Sequence, residues 1–522
     1  MKNPTQLFVA LFTLIGLGLF ATPQAMGVNP PPDGGYANGN TAEGTDALFS
    51  LTSGLFDSAV GFNALYANTS GGFNTAVGWK ALSANTTGDE NTAIGVTALT
   101  NNTTGDFNTA LGFNALVGNT TGASNTAIGL QALGNNTTGS SNTALGLSAL
   151  YANTTGAANT AVGFEALSSN SVGASNTALG WGALDQNTTG DENTASGREA
   201  LDNNTTGDLN TASGFLALSS NTTGSFNTAS GGEALKSNTT GASNTAIGYT
   251  ALFSNTSGGA NSAVGLAALA FNTDGDNNVA MGANALVSNT TGSVNTAVGY
   301  LALYQNTVGN NNIAIGNLAG ANLTSGSNNI TIGNQGVASE SGRIRIGMTG
   351  TQTAAFVAGI RGVPLTGLQP VGVNSQGQLG VRASSARFKE AIKPMDKDSE
   401  AILSFQPVSF RYKKGLDPDA MLQFGLVAED VARVAPHLVV KDHDGKPFSV
   451  RYDAVNAMLL NEFLKEHRKV EKLEAMVAQQ HREFEAEIKA LAAHLKAQDS
   501  RIQKVNDELE LTRPAPQMAS ND

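Results

Sequence analysis

The chain has 522 residues, of which 61 are Gly, 13% are charged and none is Cys. Its formal charge of −12 disfavours nucleic acid and anionic lipid as partners. With so few charges there is little material for a catalytic cluster, and no cofactor or metal site is expected. Basic residues are unevenly spread: Lys2, Lys80, Arg198 and Lys236 precede Arg343, and the other 25 of 29 lie from Arg343 onward. A polar, low-charge body therefore comes first, and an ordinary charged module follows.

Residues 1–25 have the form of a secretory signal, and the expected destination is extracellular or the cell surface. Lys2 supplies a positive start, Leu7 to Phe20 is an apolar or small run too short for a comfortable membrane span, and Ala21 or Ala25 offers a cleavage site. A retained N-terminal anchor is the competing reading; the mature chain is expected to carry no membrane-spanning segment. Residues 26–39 read as a linker. An exported chain without disulfides draws its stability from elsewhere, here from repetition and oligomerisation.

From Asn40 the sequence is periodic. Asn-Thr-Ala-x-Gly begins at Asn74, Asn91, Asn108 and onward to Asn244 in steps of 17 residues, and weaker copies extend the register to 18 units between Asn40 and Gly333. Such self-similarity specifies a solenoid or fibre. The expected fold class is mainly β: a parallel β-solenoid or β-roll of 17-residue coils over 40–347, with strand, turn and turn in each unit. Alternation within Asn74–Gly78 predicts that Val77, Ile94 and Leu111 point inward with Leu82, Leu99 and Leu116, while the Ala76 column forms a second packed face. Asn-Thr-Thr-Gly (Asn85–Gly88) predicts a turn with Gly at positive φ. Stacked Asn and Thr are expected to form hydrogen-bond ladders in a rod of roughly 85 Å.

The Asn-x-Thr triplets also match the glycosylation pattern, but their recurrence with the coil marks them as turn and ladder residues. Calcium binding is rejected, because Asp89, Glu90, Asp106, Asp191, Glu192 and Asp208 do not repeat as a ligand set. Ser196, Ser213 and Ser230 place a polar layer in the apolar column. Trp79, Trp181, Tyr151 and Phe164 read as scattered along the rod. The Asn-Thr-Ala-Val-Gly pattern resembles the head repeats of trimeric autotransporter adhesins, in which chains lie side by side in a β-roll. That resemblance implies a surface adhesin, with a host or matrix ligand as a possible partner. The units here are longer, and the C-terminal membrane barrel of that family is missing from its place.

The repeat decays at Arg343-Ile-Arg-Ile-Gly347, and 348–383 form a Gly/Val/Pro-rich neck with short strands expected at Ala355–Ile360, Val371–Val373 and Leu379–Val381. Then come Ala383-Ser-Ser-Ala-Arg-Phe-Lys389, Pro407–Tyr412, Phe424–Val431, Pro436–Val439 and Val450–Asp453. This ordered series, over about 383–475, is similar to the intramolecular chaperone domain that ends endosialidase-type phage tail spikes, a family of self-cleaving serine peptidases. The resemblance implies a small α+β module at 384–453, assembly as a homotrimer, and a catalytic dyad of Ser384 and Lys389 cutting the Ala383–Ser384 bond once per chain. Ser385 stands where that family usually carries Asp. A Ser five residues from a Lys is common in itself. Lys can act as base only when neutral, which burial or nearby cations such as Arg387 and Lys393 would favour.

Residues 454–512 carry a heptad pattern, with Leu460, Ile488, Leu495, Ile502 and Leu509 at one core position and Phe463, Val470, Val477, Phe484, Leu491 and Val505 at the other. A coiled coil is expected, with His467, Glu474, His481 and Gln498 as polar core residues that fix register. Residues 513–522 read as a frayed tail. A glycan-degrading enzyme is excluded, since the unbroken repeat leaves no room for an inserted carboxylate-pair domain.

Overall fold

Asn-Thr-Ala-x-Gly opens each coil with a strand of three residues. The computed structural model describes residues 36–352, 354–357, 371–374, 377–381, 383–417, 419–442 and 444–512. The expected signal, most of the linker, part of the neck and the tail lie outside them. The strands run from Thr41–Glu43 to Ile344–Ile346 and form one 19-stranded parallel sheet in which each pairs with its sequence neighbour. The register sets like on like, as in Thr75↔Thr92, Ala76↔Ala93 and Val77↔Ile94. Each coil therefore closes within one chain.

Residues 74–90 show how a coil turns. Gly78 has φ +134°, and Lys80, Leu82 and Glu90 take left-handed φ of 56°, 51° and 54°. For a non-Gly residue that conformation costs roughly 1–2 kcal/mol. Inter-coil backbone bonds and burial offset it: Lys80 N–H donates to Phe62 O at 2.8 Å, and Leu82 N–H to Ala98 O at 3.0 Å. The expected positive φ in Asn85–Gly88 is not found at Gly88. That glycine is required for space, since a Cβ there would lie 2.5 Å from both Gly105 O and Asn85 Oδ1.

The inward column is also corrected. Val77, Ile94 and Leu111 face outward, 36–44% exposed, while Ala76, Ala81 and Leu82 and their equivalents are fully buried. A 17-residue coil has room inside for two Ala and one Leu per layer, so the middle residue of Thr-Ala-Val turns in and its neighbours turn out. The polar layer of Ser196, Ser213 and Ser230 thus lies on the surface.

Two fully buried Asn columns flank this core. Asn102 Nδ2 donates to Asn85 Oδ1 at 2.9 Å and to Gly105 O at 2.9 Å. Asn108 N–H donates to Asn91 Oδ1 at 3.0 Å, and its Nδ2 to Gly122 O at 2.9 Å. Thr86 Oγ1 donates to Thr103 O at 3.0 Å in a shallower column. The expected ladders are present, and they supply the partners that buried amides require.

Asp57 takes an Asn position in the second coil, fully buried, and accepts bonds from Asn74 N–H, Asn74 Nδ2 and Asn68 Nδ2. Burial pushes its carboxyl above the ordinary value, outweighing the bonds from Asn74. A raised folded value means stability present at acid pH and lost as pH rises through it. Asp57→Asn is therefore expected to stabilise the N-terminal coils near neutral pH and to lose that advantage below about pH 3.8, the ordinary carboxyl value. Urea unfolding of both proteins across this range checks it.

The last strand arrives after a shortened coil, pairing Thr331↔Arg345 in the Ala column. Arg345 caps the core with a bidentate ion pair to Glu340, Nη2–Oε2 2.7 Å and Nε–Oε1 2.9 Å. Burial pushes the Glu340 carboxyl up, but the bonds from Arg345 more than offset this and hold it below the ordinary range.

The chain divides into two compact units, Met1–Leu365 and Thr366–Asp522. In the second, Val371–Val373 pairs antiparallel with Leu379–Val381, as expected for the neck; the described part of 355–360 is exposed and carries no strand. Val408–Phe410 pairs with Gln423–Gly425, and Val439–Lys441 with Pro447–Val450. Helix α1 (Ala428–Val434) packs on the second of these hairpins, and helix α2 (Tyr452–Leu511) runs for 60 residues, ~90 Å at the helical rise. Val431, Ala435, Leu438, Val450 and Met458 form the small core that holds the first turns of α2.

Candidate functional site

Ser384 and Lys389 bracket a single 3-10 turn, Ala386–Phe388. The turn is closed by Phe388 N–H to Ser385 O and Lys389 N–H to Ala386 O, both 3.0 Å. Folding back over five residues in this way brings the Lys389 ammonium to 3.4 Å from Ser384 Oγ, to which it donates. The Arg387 guanidinium sits over the Phe388 ring, 4.6 Å from its centroid. Ala383, Ser384 and Lys389 are all exposed. The pair therefore has the proximity of a nucleophile and base. Base catalysis requires the reverse polarity, with the neutral amine accepting the Ser384 proton. Among the described residues no His, Asp, Glu or Cys cluster could hold a metal ion.

A second polar group, which sequence reasoning missed, ties this module to α2. Ser399 is fully buried and bonds Glu462 Oε1; Asn461 Nδ2 donates to Ser399 Oγ at 2.7 Å, and Lys465 Nζ bonds Glu462 at 2.7 Å. The Lys465 bond, followed by that from Ser399, holds the Glu462 carboxyl below its ordinary range. Nothing in the spacing of Glu462 and Lys465 along the helix points to a Ser 63 residues earlier.

The aromatic residues read as scattered are partly aligned. Trp79, Phe164 and Trp181 share one column, two residues after the outward Val/Leu position, and Phe164 stacks on Trp181 with ring centroids 6.4 Å apart. Tyr151 stands in another column.

Fold and site together define a parallel β-solenoid stalk followed by a small α+β module and a long helix. Residues 384–440 match the family model described as chaperone of endosialidase, and that match begins at Ser384. Among curated proteins, none matches the chain. Among the described residues no helix is long and apolar enough to cross a membrane.

Proposed function

We propose that the chain is an exported, trimeric extracellular fibre whose C-terminal module aligns three chains and then cuts itself off at Ala383–Ser384. The observation that carries this reading is the 3.4 Å contact of Lys389 Nζ with Ser384 Oγ at the first residue of the chaperone match. The exposed heptad residues of α2 support a coiled coil: Phe463 and Val477 are 66% and 61% exposed in the single chain. Linking three C-termini raises the effective concentration of the stalks and sets their register before the solenoids pack.

The dyad is exposed in one chain. Covering it with a second chain would favour the neutral amine and couple cutting to assembly. Lys389 then takes the Ser384 hydroxyl proton, and Oγ attacks the Ala383 carbonyl carbon. The C–N bond breaks, the proton passes from Lys389 to the Ser384 amine, and Ala383 is left as an ester on Oγ. Water hydrolyses that ester, giving a carboxylate at Ala383 and a free Ser384 amine. Release of the guide removes the path by which the chains assembled, so the fibre persists kinetically.

Intact-mass analysis of the folded protein beside Ser384→Ala and Lys389→Ala tests this. The native chain is expected to give fragments ending at Ala383 and beginning at Ser384, and both variants to stay whole while still assembling. An uncut native chain in a folded trimer would remove the peptidase and leave a permanent trimerisation module.

A further inference from the structure

The outward Val/Leu column and the column two residues later form one surface. From Val60 and Phe62 in the second coil to Leu179 and Trp181 in the ninth, both columns are apolar in every coil and half-exposed or exposed. The surface is broken where Ser196, Arg198, Ser213 and Ser230 enter, and it resumes from Ile247 and Tyr249. Eight coils at about 4.8 Å give a strip roughly 40 Å long, and two columns two residues apart, about 7 Å along the chain plus the width of a side chain, make it about 10 Å wide. At that length and width the first stretch covers about 400 Å², within the range of the largest apolar patch of a monomer, and the four coils from Ile247 to Tyr300 bring the total to roughly 600 Å², about three quarters of the ~800 Å² per partner of a stable interface.

We infer that this strip is the face by which copies of the chain pack against one another, in parallel and in register, an inference that rests on the trimeric reading above. A compact partner would need a compact patch. This one is a line that repeats with every coil, and its natural complement is a surface of the same repeat. The break fits the same occupant: in-register copies set Ser196, Ser213 and Ser230 opposite one another, so polar meets polar. The chain presents a second exposed apolar stripe on α2, where Val470 and Phe484 are 48% and 61% exposed.

The absence of cysteine makes a direct test available. Val162→Cys places a thiol on the strip, and Thr138→Cys, on a different exposed column, serves as the control. In the full chain under mild oxidation, Val162→Cys is expected to give a disulfide-linked dimer on a denaturing gel, with peptide mapping joining 162 to 162, because like residues meet at the axis. Thr138→Cys is expected to stay uncrosslinked. A trimer by light scattering without the 162–162 link, or with equal linking at Thr138→Cys, would overturn this face while leaving trimerisation intact. A chain that stays monomeric, with the strip free or covered by an unrelated protein, would overturn both.

Discussion

Leu150→Ala is expected to destabilise the stalk by about 4 kcal/mol, the range for emptying a packed leucine site. Leu150 is fully buried, and each coil contributes one Leu and two Ala to the core. Its N–H donates to Ala166 O at 3.0 Å, and its carbonyl accepts from Asn153 N–H at 3.2 Å. The backbone at this corner is bonded to the next coil and within its own coil, with Leu150 at φ 53°, so the cavity cannot close by a simple shift. The solenoid couples nearest neighbours, and the loss should therefore be local. Urea unfolding gives the magnitude. Hydrogen exchange should show lost protection over the coils around 142–166 while distant coils keep theirs.

Asn142→Ala is expected to cost about 3 kcal/mol by a different route. Asn142 Oδ1 accepts from Asn159 N–H at 3.0 Å and from Asn159 Nδ2 at 3.2 Å. Its own Nδ2 donates to Gly156 O at 2.9 Å and Asn125 Oδ1 at 3.1 Å. Gly156 O keeps a second donor in Asn153 Nδ2, and Asn125 Oδ1 keeps the Asn142 N–H. The Asn159 amide loses its acceptor in a fully buried site, and that desolvated donor carries most of the cost. The exposed Asn101→Ala should stay within about 0.5 kcal/mol. Accelerated exchange at the Asn159 amide identifies the cause.

The period, the strands and the ladders were legible in the sequence because identical residues recur at a fixed step and parallel stacking sets like on like. The inward column was not. Thr-Ala-Val alternation offers two orientations, and hydropathy favours Val inside, but the volume of a narrow coil admits Ala. Hydropathy assigned to the core a column that a single chain leaves in water. The left-handed corners were hidden as well: Leu is a poor left-handed residue in isolation, and only inter-coil bonds and burial hold Leu82 there. At the other end, an Arg in the Ala column was a readable sign of the cap, since a charge in a core column ends the core. Ser384 and Lys389 were found by resemblance; the turn that joins them was not foreseen, because nothing in Ala-Arg-Phe demands a 3-10 conformation. The Ser399–Glu462–Lys465 group depends on long-range packing that no local pattern encodes.

The most direct test of the proposed chaperone compares the full chain with a chain ending at Ala383, both refolded from denaturant at equal concentration and followed by size-exclusion chromatography with light scattering. The full chain should yield a trimeric stalk, and the shortened chain should remain unassembled over the same interval. If the chain ending at Ala383 reaches the same trimer at the same rate, residues 384–512 do not guide assembly and the chaperone role is contradicted.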